Sequence, residues 1–209
     1  MNKKDINIFY EKNAKSFSDT RNFPWPSTKK FLDSLKKDSK IIDIGCGNGR
    51  NMFYRSDINI TGLELSRELC NIVESKGGVV VNSNMTTLPF EDMYFDSLIC
   101  VSAYHHLDNI SDRMKAIQEM VRVLRINSLG FIQVWAMEQP YYTKRKFIKR
   151  DELVTWKNND GVILNRYYRI YSKGELEEEI YSFLDKSKIE IINTIYEEGN
   201  WIVIFKKLK

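Results

Sequence analysis

The segment that most narrows what this chain can fold into is Lys40-Ile-Ile-Asp-Ile44, which runs straight into Gly45-Cys-Gly-Asn-Gly49. An apolar run of strand length that ends in glycines opens an α/β crossover unit. Glycine permits the tight turn, and it lets the backbone approach a ligand that a Cβ would exclude. The spacing argues against the dinucleotide version of this turn. Pyrophosphate binding needs a third glycine at position 50, and Arg50 stands there.

A GxGxG turn with Asp43 two residues ahead of it suits a cofactor without phosphates, such as S-adenosylmethionine. Glu64 closes the next strand-like run, Ile58–Leu63, about twenty residues on. A carboxylate there is placed to accept both hydroxyls of a ribose. Two acids and a glycine turn, each at a strand end, carry more weight than the glycines alone.

The rest of the chain alternates in the same way. After the glycine turn a helical segment is expected. Ser66 is placed to cap a helix to about Lys76, ended by Gly77-Gly78. Val79–Val81 and Phe95–Val101 read as the third and fourth strands. Ser111 is expected to cap a helix whose Met114, Ile117, Met120, Val121 and Leu124 share one face. Leu129–Trp135 reads as a fifth strand, and Glu138 to Asn165 as an irregular stretch. Ser172 and Glu175 suggest a capping box before a helix carrying Leu176, Ile180, Phe183 and Leu184. Ile189–Ile195 and Trp201–Phe205 read as a hairpin around Glu-Glu-Gly-Asn. The expectation is a Rossmann-like class I methyltransferase, an α/β fold with a seven-stranded, mostly parallel sheet and an antiparallel C-terminal hairpin.

With 209 residues the chain is long enough for one domain, expected over 1–209. Nothing at its N-terminus resembles a secretory signal, and no run approaches the roughly 18 to 20 apolar residues of a membrane span. Three cysteines without CxxC spacing point to a reducing compartment, taken as the cytoplasm. Only two histidines are present, so no metal site is expected. A net charge of +4 is compatible with a polyanionic partner.

Several further motifs sharpen the reading. They are Thr20-Arg21 with Pro24-Trp25-Pro26, His105-His106, Trp135-Ala-Met-Glu-Gln139, Arg166-Tyr-Tyr168 followed by Gly174-Glu-Leu-Glu-Glu178, and Asn200-Trp201. Together with Asp43–Gly49, they make nearly the whole chain resemble the eukaryotic tRNA wobble-uridine carboxymethyl methyltransferases. The resemblance implies esterification of 5-carboxymethyluridine at the tRNA wobble position with S-adenosylmethionine. It also implies a heterodimer with a small zinc-binding methyltransferase activator subunit. Asn84 stands where the family usually has an aspartate for the adenine amine, and Arg169 replaces a histidine. The insertion often found before Arg-Tyr-Tyr is nearly gone.

On this basis Asp43, Gly45, Gly47, Asn48, Glu64, Asn84 and Ser102 are expected to hold the cofactor. Arg21, His105, Trp135, Arg166 and Tyr167 are the candidate catalytic residues. Trp25, His106, Glu138, Tyr168, Lys144, Arg145 and Lys146 are the candidates for substrate binding. The aromatic walls are expected from Trp25, Tyr104, Trp135, Tyr167 and Tyr168. A carboxylate nucleophile is ionised at neutral pH and needs no general base, which matches a chain without an obvious catalytic dyad. The apolar Val79–Val81 strand, expected at a sheet edge without lysine or proline, is a candidate surface for the activator. Two other readings share the glycine turn: a methyltransferase of small molecules, and a non-catalytic cofactor-binding subunit of an RNA-modifying assembly.

Overall fold

Apolar residues alternating along short strands send neighbours to opposite faces of a sheet, and both faces here are covered. The computed structural model describes residues 3–157 and 163–209. Its strands are β1 (Lys40–Ile44), β2 (Asn59–Glu64), β3 (Val79–Asn82), β4 (Phe95–Val101), β5 (Leu124–Trp135), β8 (Ile189–Glu197) and β9 (Asn200–Lys207), with a separate pair, β6 (Asp151–Lys157) and β7 (Ile163–Arg169). The main sheet runs β3-β2-β1-β4-β5-β9-β8. Strands β1 to β5 pair in parallel, and β9 is antiparallel to both its neighbours. This is the expected sheet with its C-terminal hairpin.

Ile42, Ile44, Leu98 and Cys100 pack to one side with Ile117, Met120 and Val121 of helix α4 (Ile110–Val123) and Leu176 and Ile180 of α5 (Glu175–Phe183). Ile41, Ile99, Val101 and Phe131 pack to the other with Phe31 and Leu32 of α2 (Pro26–Asp33). Helix α3 (Arg67–Ser75) is capped as expected: the Ser66 hydroxyl accepts from the Leu69 N–H at 3.2 Å. Helix α1 (Lys3–Asp19) lies against α3 and β7 and bends at Asn13, whose φ of −126° is not helical. None of the helices among the described residues is long and apolar enough to cross a membrane.

Several local expectations are corrected. No helix follows the glycine turn: residues 50–54 form turns, and Asn51 spends its side-chain amide on Asp43 instead. The cap of α4 is Asn109, not Ser111, because the Asn109 side chain accepts from the Asp112 N–H. Strand β5 begins at Leu124, extending the sheet five residues earlier than its apolar run suggested. Gly174, with φ at 82°, occupies the cap of α5. Only half of the expected capping box forms, with Glu175 accepting from the Ser172 N–H. The stretch read as irregular holds the β6–β7 hairpin, paired from Asp151–Arg169 to Lys157–Ile163. The final hairpin turns at Glu198 and Gly199, both with positive φ, as a tight two-residue turn requires.

A buried ion pair locks α4 to α5. Arg113 Nε donates to Glu179 at 3.0 Å, and the hydroxyls of Tyr104 and Tyr171 both donate to the same carboxylate at 2.8 Å. Arg113 is only 7% exposed. Removing one partner of such a pair leaves an uncompensated buried charge. Glu179→Ala is therefore expected to lower the unfolding free energy by about 3–5 kcal/mol, read from the shift in denaturant midpoint.

Candidate active site

The carboxyl ends of β1, β2, β4 and β5 open into one cavity of about 530 Å³. Residues of α1 and β7 line its other sides. One half is built on the glycine turn. Gly45 has φ at +70°, and a Cβ there would lie 2.3 Å from that of Ala103. Gly47, at +58°, sits under Phe17 of α1. Glu64 is buried at the end of β2, where its carboxylate accepts from the N–H groups of Gly47 at 2.9 Å and Ser66 at 3.0 Å. Burial raises the Glu64 pKa, and these backbone donors oppose the rise.

Asn48 serves the cavity as a fastener. Its amide donates to the Ser18 hydroxyl and to the carbonyls of Ser18 and Arg21, holding the end of α1 over the turn. Asp43 lies beneath the lining rather than in it. One carboxylate oxygen accepts from Asn51, the other has no partner, and burial pushes its pKa up to about 7. Ser102, with φ at +57°, and Asn84 both reach the cavity. The Asn84 carbonyl already accepts from the N–H and hydroxyl of Thr86.

The other half is aromatic and cationic. Trp135 and Tyr168 stack with centroids 4.0 Å apart and planes 5° apart. The Arg145 guanidinium lies 4.0 Å from the Trp135 ring centre. Arg166, 5% exposed, stands over Phe9 and Tyr168. Arg21 lies over Phe17, and burial lowers its pKa, with the charge of Arg166 pulling the same way. Among the described residues, no carboxylate lies within ion-pair distance of Arg21, Arg145 or Arg166.

Both histidines line the cavity and are buried enough to stay neutral. The Trp135 N–H donates to His105 Nδ1 at 3.0 Å, so the neutral ring carries its proton on Nε2, which has no partner among the described residues. His106 is turned the other way. Its Nδ1 donates to the Tyr167 carbonyl and its Nε2 accepts from the Tyr10 hydroxyl. Burial pushes the pKa of His106 down to about 3 and that of His105 well below its ordinary value.

Trp25 lines the cavity and also packs on the core beside Phe31. Besides Asp43, five expected residues lie outside the lining. Tyr167 donates its hydroxyl to Asp151 on the neighbouring strand, because β7 sends alternate side chains to opposite faces. Tyr104 is fully buried against Glu179. Glu138 accepts from the Trp201 indole at 2.8 Å, which ties the Trp-Ala-Met-Glu-Gln motif to the Asn-Trp motif. Lys144 and Lys146 are exposed and outside the cavity lining. Tyr10 and Phe17 were missed. Their spacing of seven residues on one helix was the available signal.

A family model described as a methyltransferase domain matches residues 42–132. A tRNA (carboxymethyluridine(34)-5-O)-methyltransferase of Schizosaccharomyces pombe is 31% identical over 223 residues, taking in 97% of this chain and 96% of that protein. The chain belongs to the tRNA (carboxymethyluridine(34)-5-O)-methyltransferase family. A longer Xenopus tropicalis protein of that name is 26% identical over 258 residues, covering 97% of this chain and 41% of its own length. A Haloferax volcanii methyltransferase, solved in complex with the Trm112 methyltransferase activator, shares the fold at a TM-score of 0.72. It is 12% identical, and the match covers 98% of each chain.

S-adenosylmethionine is the cofactor of this methyltransferase. The glycine turn and the Glu64 carboxylate suit its ribose and amino-acid portions, with no phosphate to accommodate. Hydrogen bonds to a buried charge contribute about 1.5–3 kcal/mol each. Glu64→Ala is expected to weaken S-adenosylmethionine binding by roughly one to two orders of magnitude, and Gly47→Val to weaken it by driving a side chain into Phe17. Calorimetry checks both; unchanged affinity in the pair removes the ribose from this wall.

Proposed function

We propose that this chain transfers a methyl group from S-adenosylmethionine to the carboxylate of 5-carboxymethyluridine at the wobble position of tRNA, forming the methyl ester. The observation that carries this reading is the second half of the cavity. It offers three guanidinium groups without a carboxylate partner among the described residues, beside an unpartnered His105 N–H donor. Such a wall lacks an anion. The stacked Trp135 and Tyr168 give it the flat apolar surface that a base needs.

The cofactor supplies an electrophilic methyl on a sulfonium, to be held by Gly45, Gly47, Glu64, Asn84 and Ser102. Arg166 and the His105 Nε2–H are assigned to one oxygen of the substrate carboxylate, leaving the other free to attack. A clamp on both oxygens would blunt the nucleophile. Arg21 and Arg145 take the remaining negative charge of the nucleotide. Attack of an anion on a cation neutralises charge, so a cavity that excludes water favours the transition state over separated, solvated ions. No group on the chain has to accept a proton.

This assignment fixes the pH behaviour. Both imidazoles have lowered pKa values, that of His106 near 3, so both stay neutral from about pH 6 upward. The rate is expected to be flat between about pH 6 and 9, falling only where the substrate carboxylate protonates near its ordinary pKa of about 4. His105→Ala is expected to lower kcat at every pH without creating a demand for alkali. Rescue of that variant by raising the pH would falsify the base-free mechanism. The reaction itself is tested by methyl transfer to tRNA with and without the wobble carboxymethyl group.

The proposal extends to a partner, a small activator subunit pairing with β3. That strand is one of the two edges of the sheet, with Val79 66% exposed and no lysine or proline in it. An added strand would satisfy its outward backbone groups and cover the valines. Val80→Pro is expected to abolish copurification with the activator. A complex of unchanged affinity places the partner elsewhere.

A further inference from the structure

The segment 141–150, Tyr-Tyr-Thr-Lys-Arg-Lys-Phe-Ile-Lys-Arg, contains five cations and no acid. It starts with a tight turn in which the Thr143 N–H donates to the Pro140 carbonyl at 3.0 Å. Tyr141 and Tyr142 are the two central residues of that turn, so both rings are driven outward. Tyr141 is 98% exposed and Tyr142 60%, and the rings meet edge to face with centroids 5.3 Å apart. Neither has a hydrogen-bond or packing role in the fold comparable to Tyr104 or Tyr171. Among the described residues, Lys144, Lys146 and Lys149 have no carboxylate within ion-pair distance.

The segment is anchored at the cavity. Arg145 lies on the Trp135 ring, and Phe147 stacks near it with centroids 5.7 Å apart. Tyr141 is four residues from Arg145, within at most about 14 Å of chain. Exposed aromatic rings beside unpaired cations form the composition that holds single-stranded nucleic acid, because every base has a face to stack and every phosphate a charge to pair. Protein–protein interfaces are enriched in tyrosine but depleted in lysine, and three lysines adjoin these rings.

We propose that Tyr141 and Tyr142 form a stacking platform for the unpaired bases beside the target nucleotide, with Lys144, Lys146 and Lys149 along the adjoining phosphates. The inference rests on the RNA-directed reading above and adds to it how the loop around the target is recognised. The pocket reads the modified base; the platform reads that its neighbours are unstacked and free. A duplex offers phosphates to the lysines but no base faces to the tyrosines.

The test compares two probes, a hairpin RNA with an unpaired anticodon-type loop and a fully paired duplex of equal length. Stacking contributes enough per base that Tyr141→Ala with Tyr142→Ala is expected to weaken hairpin binding at least fivefold. Duplex binding and the slope of log affinity against log salt should stay as in the wild type, since the cations remain. Replacing both tyrosines by phenylalanine should restore hairpin binding, because the ring and not the hydroxyl does the stacking. Calorimetric S-adenosylmethionine binding confirms that the alanine pair is folded. The proposal is overturned if the alanine pair binds the hairpin normally or loses both RNAs equally. It is also overturned if the pair loses the activator subunit instead, which makes the patch a protein contact. A wild-type chain that prefers the loop but never methylates a hairpin carrying 5-carboxymethyluridine removes the esterification reading and leaves the platform standing.

Discussion

The buried Glu64 carboxylate is the interaction on which this architecture turns. A charge removed from water is costly unless hydrogen-bonded, and its donors here are the backbone N–H groups of Gly47 and Ser66. Those two bonds join the loop after β1 to the start of α3. From the same residue, the backbone carbonyl accepts from the Asn82 side chain, and so draws in the end of β3. One acid thereby sets the relative position of three strand ends. The glycines are needed for their positive φ and because a Cβ at Gly45 would collide with Ala103 and one at Gly47 would press on Phe17.

The two halves of the cavity have opposite electrical characters. Buried acids, Glu64 and Asp43, underlie one end with Arg50 beside Asp43, and three guanidinium groups without a carboxylate partner among the described residues line the other. A cationic methyl donor and an anionic acceptor are each matched by the end they would occupy. The histidines fit this scheme as neutral dipoles. Each is fixed by a single backbone partner, the Trp135 N–H or the Tyr167 carbonyl, so their orientations are set by the strands flanking them.

The features legible in the sequence were those written in periodicity and in glycine placement: the strands of a mostly parallel α/β sheet, the turn, the second acid and the terminal hairpin. The β6–β7 hairpin was hidden because its strands, Asp-Glu-Leu-Val-Thr-Trp-Lys and Ile-Leu-Asn-Arg-Tyr-Tyr-Arg, alternate weakly and carry charge on both faces, with Asp151 exposed and Arg166 buried toward the cavity. The helix expected after Gly49 is absent because Asn51 turns back to Asp43 and Arg55 pairs with Asp57, closing the crossover early. Tyr104 and Tyr167 read as pocket walls from their neighbours in sequence. Which face of a strand or turn an aromatic residue takes depends on packing partners distant in the chain, here Glu179 and Asp151.

The two walls of the cavity are unequal in how they are supported. The cofactor wall belongs to a seven-stranded sheet, whereas Arg166 and Tyr168 belong to a two-stranded ribbon outside it. A ribbon of two strands has little stability of its own and depends on what it leans against, in this case α1 through Phe9 and Trp156 and the histidine turn through His106. Elements of that kind open at lower free energy than a central sheet. On warming, the wall carrying Arg166 and Tyr168 is therefore expected to loosen before the wall built on the main sheet, while the scaffold is still intact.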